Sequence, residues 1–243
     1  MTGFATSCGV GYAYRVNSEP DELTSILRRG ANAVWGLGLT EVQISQFSRY
    51  AELLVEWNAN RMNLTRLTSP NDIAVKHFLD SLALFQAVDI PENARLIDVG
   101  TGAGLPGFAV KIMRPDVHVT LLDSTAKKLT FCQAVIDDLG LAGIEVVHGR
   151  AEDVGRLPAH AGRYDVVTAR AVAALEKLLP WCAPFVHRGG GKIVALKGAI
   201  TVEELAAAWP VAKRLRLELR QPIAVTLPEA DEETVRHIVV ATA

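Results

Sequence analysis

Cysteine is scarce in this chain. Its 243 residues hold three, Cys8, Cys132 and Cys182, an odd number at scattered positions. That fits neither a disulfide framework nor a zinc site. The histidines at 77, 118, 148, 160, 187 and 237 are equally dispersed, with no cysteine or acidic partner at ligand spacing, so no metal is expected. No apolar run reaches about 18 residues. The first basic residue is Arg15. A membrane span and a signal peptide are therefore not expected, and a cytoplasmic protein is. Charge of one sign is missing too. At a net charge of -2, a polyanionic partner has to be met by a local basic patch. Gly-x-Ser-x-Gly and the lysine-bearing phosphate loop are both absent, which removes the commonest hydrolase and NTPase readings.

Glycine, by contrast, is concentrated at one place. Residues 96–107, Leu-Ile-Asp-Val-Gly-Thr-Gly-Ala-Gly-Leu-Pro-Gly, read as a buried strand, a glycine turn and the start of a helix. That arrangement brings backbone close to a nucleotide-like ligand. Two ligands compete for it. Residues 102–107 fit G-x-G-x-x-G, with Asp123 about 20 residues on, as a dinucleotide site requires. Asp98, two residues before the first glycine, argues for a ligand without phosphate, because a pyrophosphate seeks amide donors and the positive end of a helix. S-adenosylmethionine carries a sulfonium and an ammonium and suits an acidic neighbour. The residues favour it over a dinucleotide.

Hydrophobic content of 49% is enough for a substantial core. Residues 1–20 lack periodicity and are expected to be a flexible terminus. Residues 21–92 read as a helical extension packed on a core domain at 93–243, with helices at 21–35, 40–58 and 69–88. Thr40 with Gln43 forms a capping box, and Ser69-Pro70 an N-cap with proline in the first turn. On the third helix His77, Asp80, Ser81 and Leu84 make a partly polar stripe, either a solvated face or a surface closing over a ligand. From residue 95 strands at 95–99, 117–122, 144–148, 164–168 and 192–196 alternate with helices at 106–114, 125–139 and 172–187. That pattern predicts an α/β parallel sheet. A helix at 201–208 precedes strand-like segments 215–225 and 235–242, expected as a closing antiparallel hairpin.

Ligands of open parallel sheets lie beyond the carboxyl ends of the strands. Those ends deliver Asp98 and Gly100, then Asp123 and Ser124, then Gly149-Arg150-Ala151-Glu152, then Thr168-Ala169-Arg170, and last Leu196-Lys197-Gly198. Asp123 suits ribose hydroxyls or a helix cap. Ala151 and Glu152 suit an adenine edge or a surface turn. Arg170 and Lys197 suit phosphates, a base, or ion pairs with local carboxylates. Lys127 and Lys128 open the helix after Asp123.

Together these residues resemble the bacterial small-subunit ribosomal RNA guanine-N7 methyltransferases, RsmG or GidB. The matching stretches are Trp57-Asn58, Asn63-Leu64-Thr65, His77-Phe78-Leu79-Asp80-Ser81, Asp98 through Gly107, Leu121-Leu122-Asp123-Ser124, Arg150-Ala151-Glu152, Ala169-Arg170-Ala171 and Ala195-Leu196-Lys197-Gly198. They cover about residues 40–240, and residues 1–39 match no motif. The resemblance implies a class I S-adenosylmethionine-dependent methyltransferase, Rossmann-like, with a seven-stranded mostly parallel sheet ending in an antiparallel hairpin and an N-terminal helical extension. Cofactor contacts are then expected at Asp98, Gly100, Gly102, Gly104, Leu105, Asp123, Ala151, Glu152 and Arg170. Arg170 and Lys197 would act by positioning and electrostatics. His77, Lys127, Lys128 and Lys197 would face the RNA. The implied partner is small-subunit ribosomal RNA or the assembled small subunit, met by a monomer, with no membrane.

Overall fold

The computed structural model describes residues 22–35, 38–230 and 234–243. The expected flexible terminus at 1–20 lies outside them. Three helices come first: α1 (Glu22–Trp35), α2 (Glu41–Asn60) and α3, in which Pro70–Asp72, Ile73–Leu79, Asp80–Leu82 and Ala83–Gln86 follow without a break. The capping box of α2 is formed: Thr40 Oγ1 accepts from Gln43 N at 3.3 Å and Gln43 Oε1 accepts from Thr40 N at 2.9 Å. Ser69 Oγ caps α3 by accepting from Asp72 N at 3.1 Å, with Pro70 supplying a fixed φ at the first helical position. The Ile73–Leu79 turns of α3 are wound as a π-helix, wider than the regular pattern that the periodicity predicts.

The sheet then builds up as β1 (Arg95–Val99), α4 (Gly107–Met113), β2 (His118–Asp123), α5 (Ala126–Leu139), β3 (Ile144–His148), α6 (Ala151–Val154), β4 (Val166–Arg170), α7 (Leu175–Cys182), β5 (Lys192–Lys197) and α8 (Val202–Arg214). Three short strands finish it: β6 (Glu218–Leu219), β7 (Ile223–Leu227) and β8 (Thr234–Thr242). The strand order is β3-β2-β1-β4-β5-β8-β6, parallel through β5, with β8 antiparallel to β5 and β7 also paired to β8. The described residues thus give eight strands where seven positions are expected. The difference is a break in one strand: β6 and β7 lie in succession along the same edge of β8. The break contains Pro222, which has no amide hydrogen for the ladder. The helix expected at 172–187 is confined to α7, and the one expected at 201–208 runs on to Arg214.

Strand residues alternate between two buried layers, as the period of two requires. Leu96, Leu121, Val194 and Val240 face a layer built from α1 to α5. Ile97, Leu122, Ile193 and Val239 face one built on α7 and α8. On the first side an aromatic cluster joins the helical extension to the sheet helices: Tyr50 of α2 lies 5.4 Å from Phe78 of α3 and 5.1 Å from Phe108 of α4, all three fully buried. Truncating one such ring to alanine costs about 3–5 kcal/mol. Packing of this kind fixes α2 and α3 against the glycine turn.

Candidate active site

The turn after β1 is folded by carboxylates that the sequence places in it. Asp98 is wholly buried and receives three hydrogen bonds, from Thr101 Oγ1 at 2.5 Å, Thr168 Oγ1 at 2.9 Å and Gly107 N at 3.1 Å. Burial raises its pKa, and those three donors work against the rise. The expectation that Asp98 faces a ligand cation is therefore corrected: its carboxylate has no open side. It still argues against a phosphate, for a different reason. Its Oδ2 occupies the amide at the start of α4, where a pyrophosphate would dock. Five further loop amides are also engaged. Gly100 and Thr101 donate to Leu122 O, Gly104 and Leu105 to Thr101 O, and Gly102 to Asp123 Oδ2.

Two glycines are required by this geometry. Gly104 has φ +98°, and a Cβ there would lie 2.1 Å from the Phe108 ring. Gly100 has φ +69°, and a Cβ there would lie 2.9 Å from Val172 Cγ2. From below, Tyr50 Oη donates to Ala103 O at 2.6 Å, and the Cys132 thiol lies 3.6 Å from Gly102 O.

A cavity of about 370 Å³ opens where the carboxyl ends of β1, β2, β3 and β4 meet. It is within the size range of small-ligand sites, about 300–1,000 Å³. Of the predicted residues it brings together Gly100, Asp123, Lys128, Ala151, Glu152 and Arg170. Asp123 Oδ1 accepts from Thr125 N at 2.8 Å and Oδ2 from Gly102 N at 2.9 Å, with Lys128 Nζ at 4.0 Å. Each oxygen keeps a lone pair for a ligand hydroxyl. Asp98, Gly102, Gly104 and Leu105 stand behind this wall and shape it without lining it. Val172 and Trp181 line it and were not predicted. Val172 follows a strand end and was within reach of that rule. Trp181 comes from α7, and no local signal marks it. Between Arg170 and Val172 the chain turns through Ala171 at φ +53°, a left-handed conformation for a residue with a Cβ.

Three predicted residues are placed elsewhere. Lys197 does not reach the cavity: its ammonium donates to Ala173 O at 2.9 Å and pairs with Glu204 Oε1 at 2.8 Å, tying β5 to α8. His77 is turned inward, with Nε2 2.9 Å from Thr65 Oγ1. Burial, reinforced by the Arg170 guanidinium, lowers its pKa to about 4, so it is neutral near pH 7 and offers RNA no charge. Lys127 is exposed on α5, outside the cavity. Among the described residues no group of three or more histidine, cysteine or acidic side chains could hold a metal ion, and no helix is long and apolar enough to cross a membrane.

Arg170 also meets Asp80, on the partly polar stripe of α3. Its Nη1 donates to Asp80 Oδ2 at 3.0 Å, and Asp80 Oδ1 accepts from Arg236 Nε at 2.8 Å.

The parallel sheet with its antiparallel end, and a cavity over β1 to β4, define a class I methyltransferase fold. The YcgJ protein from Bacillus subtilis shares it, with a TM-score of 0.54 at 12% identity over 68% of this chain and 98% of that one. A SAM-dependent methyltransferase from Aquifex aeolicus shares it with a TM-score of 0.50 at 16% identity over 72% and 93%. Sequence goes further than fold. The family model described as rRNA small subunit methyltransferase G matches residues 43–233. Proteins named ribosomal RNA small subunit methyltransferase G are similar in Alkaliphilus oremlandii, 41% identical over 219 residues and 90% of both chains, and in Desulforamulus reducens, 43% identical over 188 residues and 77% of both. The chain belongs to the rRNA small subunit methyltransferase G family.

Proposed function

We propose that the chain transfers a methyl group from S-adenosylmethionine to N7 of a specific guanine in 16S ribosomal RNA, acting as a cytoplasmic monomer on the RNA or the assembled small subunit. The observation that carries this reading is the family match across residues 43–233, a stretch that contains the cavity whole. The donor set fits the cofactor: carboxylates of Asp123 and Glu152 suit hydroxyl and amino groups, and with the Gly100, Thr101, Gly102, Gly104, Leu105 and Gly107 amides engaged the loop lacks the run of free amides that a pyrophosphate cradle needs.

When bound, the cofactor supplies an electrophilic methyl group on sulfur. Guanine N7 presents an in-plane lone pair, so no side chain has to take a proton before transfer. The residues have to orient and exclude. In this reading Asp123 holds the ribose hydroxyls, Ala151 and Glu152 the adenine edge, and Arg170 the end of the cavity beyond β4. Holding the reacting atoms in line at about 3 Å then supplies much of the rate. Exposed cations near the helical extension, Arg61, Arg66 and Lys127, are the candidates for RNA phosphate.

The test is methyl transfer from labelled S-adenosylmethionine to small ribosomal subunits from cells lacking the gene, with the modified base located by reverse transcription after borohydride reduction and aniline cleavage at N7-methylguanine. One new N7-methylguanine in the small-subunit RNA is expected. Cofactor binding without transfer to subunits or free RNA would remove the substrate and keep the fold.

A further inference from the structure

Arg170, Asp80 and Arg236 come from three separate elements, β4, α3 and β8, and meet in one nearly closed cluster with side chains 15%, 9% and 23% exposed. Arg170 Nη1 is shared between Asp80 Oδ2 at 3.0 Å, Lys76 O at 3.2 Å and His77 O at 3.3 Å. The two carbonyls belong to the π-helical turns of α3. No bond to Nη2 or Nε of Arg170 exists among the described residues, although the side chain lines the cavity. Two guanidinium groups face the one Asp80 carboxylate, and the buried Asp98 carboxyl is a further acidic group near Arg170. Arg236 also lies outside the segment that the family model matches.

We infer that Asp80 is a positioning residue: held from behind by Arg236, it fixes the Arg170 guanidinium so that its free edge meets the carboxylate at the amino-acid end of the cofactor. The strand order supports this placement. Glu152 and Gly100 follow β3 and β1, and Asp123 and Arg170 end β2 and β4, so an extended ligand with adenine at β3 reaches β4 with its amino-acid end. The inference rests on the proposed cofactor. It adds that the helical extension takes part in binding it.

The test compares two ligands on the full chain by titration calorimetry. S-adenosylhomocysteine carries the amino-acid end; 5′-methylthioadenosine keeps adenosine and sulfur but lacks the carboxylate and amino groups. Asp80→Asn is expected to weaken S-adenosylhomocysteine binding about tenfold, the scale of one hydrogen bond to a charged group. Its effect on methylthioadenosine should stay under about twofold. Adding Asp80→Asn to Arg170→Ala should weaken S-adenosylhomocysteine no further than Arg170→Ala alone. Equal loss for both ligands, no loss for either, or effects that multiply in the double variant would overturn the inference. Should Asp80→Asn fail to fold, Arg236→Gln carries the same comparison, with about threefold loss expected for S-adenosylhomocysteine only and equal loss for both ligands overturning it. A wild-type chain that binds neither ligand would sink the cofactor reading, and this inference with it. Wild-type binding with no ligand selectivity in the variants sinks the inference alone.

Discussion

The Tyr50 hydroxyl, on the second helix of the N-terminal extension, donates to the carbonyl oxygen of Ala103 in the glycine turn at 2.6 Å. Tyr50 is fully buried, so its hydroxyl has no water as an alternative partner. The extension and the turn that shapes the cavity are therefore joined by a direct bond as well as by packing.

Tyr50→Phe should remove that bond while keeping the ring. Stability is expected to fall by about 0.5–1.5 kcal/mol, the net worth of one hydrogen bond. Cofactor affinity should fall with it, although residue 50 is outside the cavity. Urea unfolding and calorimetric titration check the two effects; an unchanged affinity would mean that the turn keeps its shape without α2.

Asp98→Asn replaces an acceptor of three hydrogen bonds with a group that is half donor. Turned toward Thr101 and Gly107, the amide nitrogen opposes the Gly107 N–H; turned toward Thr168, it keeps a bond only if that hydroxyl swings to donate to Ile97 O, 3.5 Å away. A loss of about 1–3 kcal/mol is expected. Cofactor binding should be lost as the turn opens. A stable variant with normal binding would show that the three bonds do not hold the turn.

Lys197→Met should act on stability and leave the cavity intact. The lysine holds Glu204, whose Oε1 also accepts from Leu175 N at 2.9 Å at the start of α7. Loss of about 1–2 kcal/mol in urea unfolding is expected from breaking this partly buried pair. Cofactor affinity of the folded variant should match wild type. A folded variant with normal stability and abolished methyl transfer would return Lys197 to a direct role.

His77 gives the protein a pH-dependent stability of definite sign. Its pKa is about 4 in the folded chain against an ordinary 6.5. Between those values the unfolded chain binds a proton that the folded chain does not, so its contribution to stability rises with pH across that window and is lost as pH falls through it. His77→Gln should flatten this part of the curve of urea midpoint against pH. An identical slope in both proteins would contradict it.

Much of this was legible in the sequence because it is written in short-range terms. The Thr40–Gln43 box, the Ser69-Pro70 start and the buried strand ending before Gly100 each depend on neighbours within a few residues, and each forms as expected. The carboxyl ends of β1 to β4 could be listed for the same reason, since a strand end is a local feature. What escaped depends on partners distant in sequence. That Lys197 turns to Glu204 and not to the ligand is decided by where α8 packs. That Asp80 points inward is decided by Arg170 and Arg236 together. The residue type of Asp98 is legible in the sequence and its direction is not, because only the folded turn shows three donors converging on it.

The position of β8 sets an order on assembly. It lies between β5 on one side and β6 with β7 on the other, yet it is made after all of them. A nascent chain that has emerged as far as Leu227 has an open edge at Lys192–Lys197 and two short strands with no ladder to join. Such edges invite pairing with other chains. Residues 234–242 close both at once, and only then does Arg236 arrive behind Asp80. Completion of the sheet and completion of the charge cluster beside the cavity thus depend on the same strand.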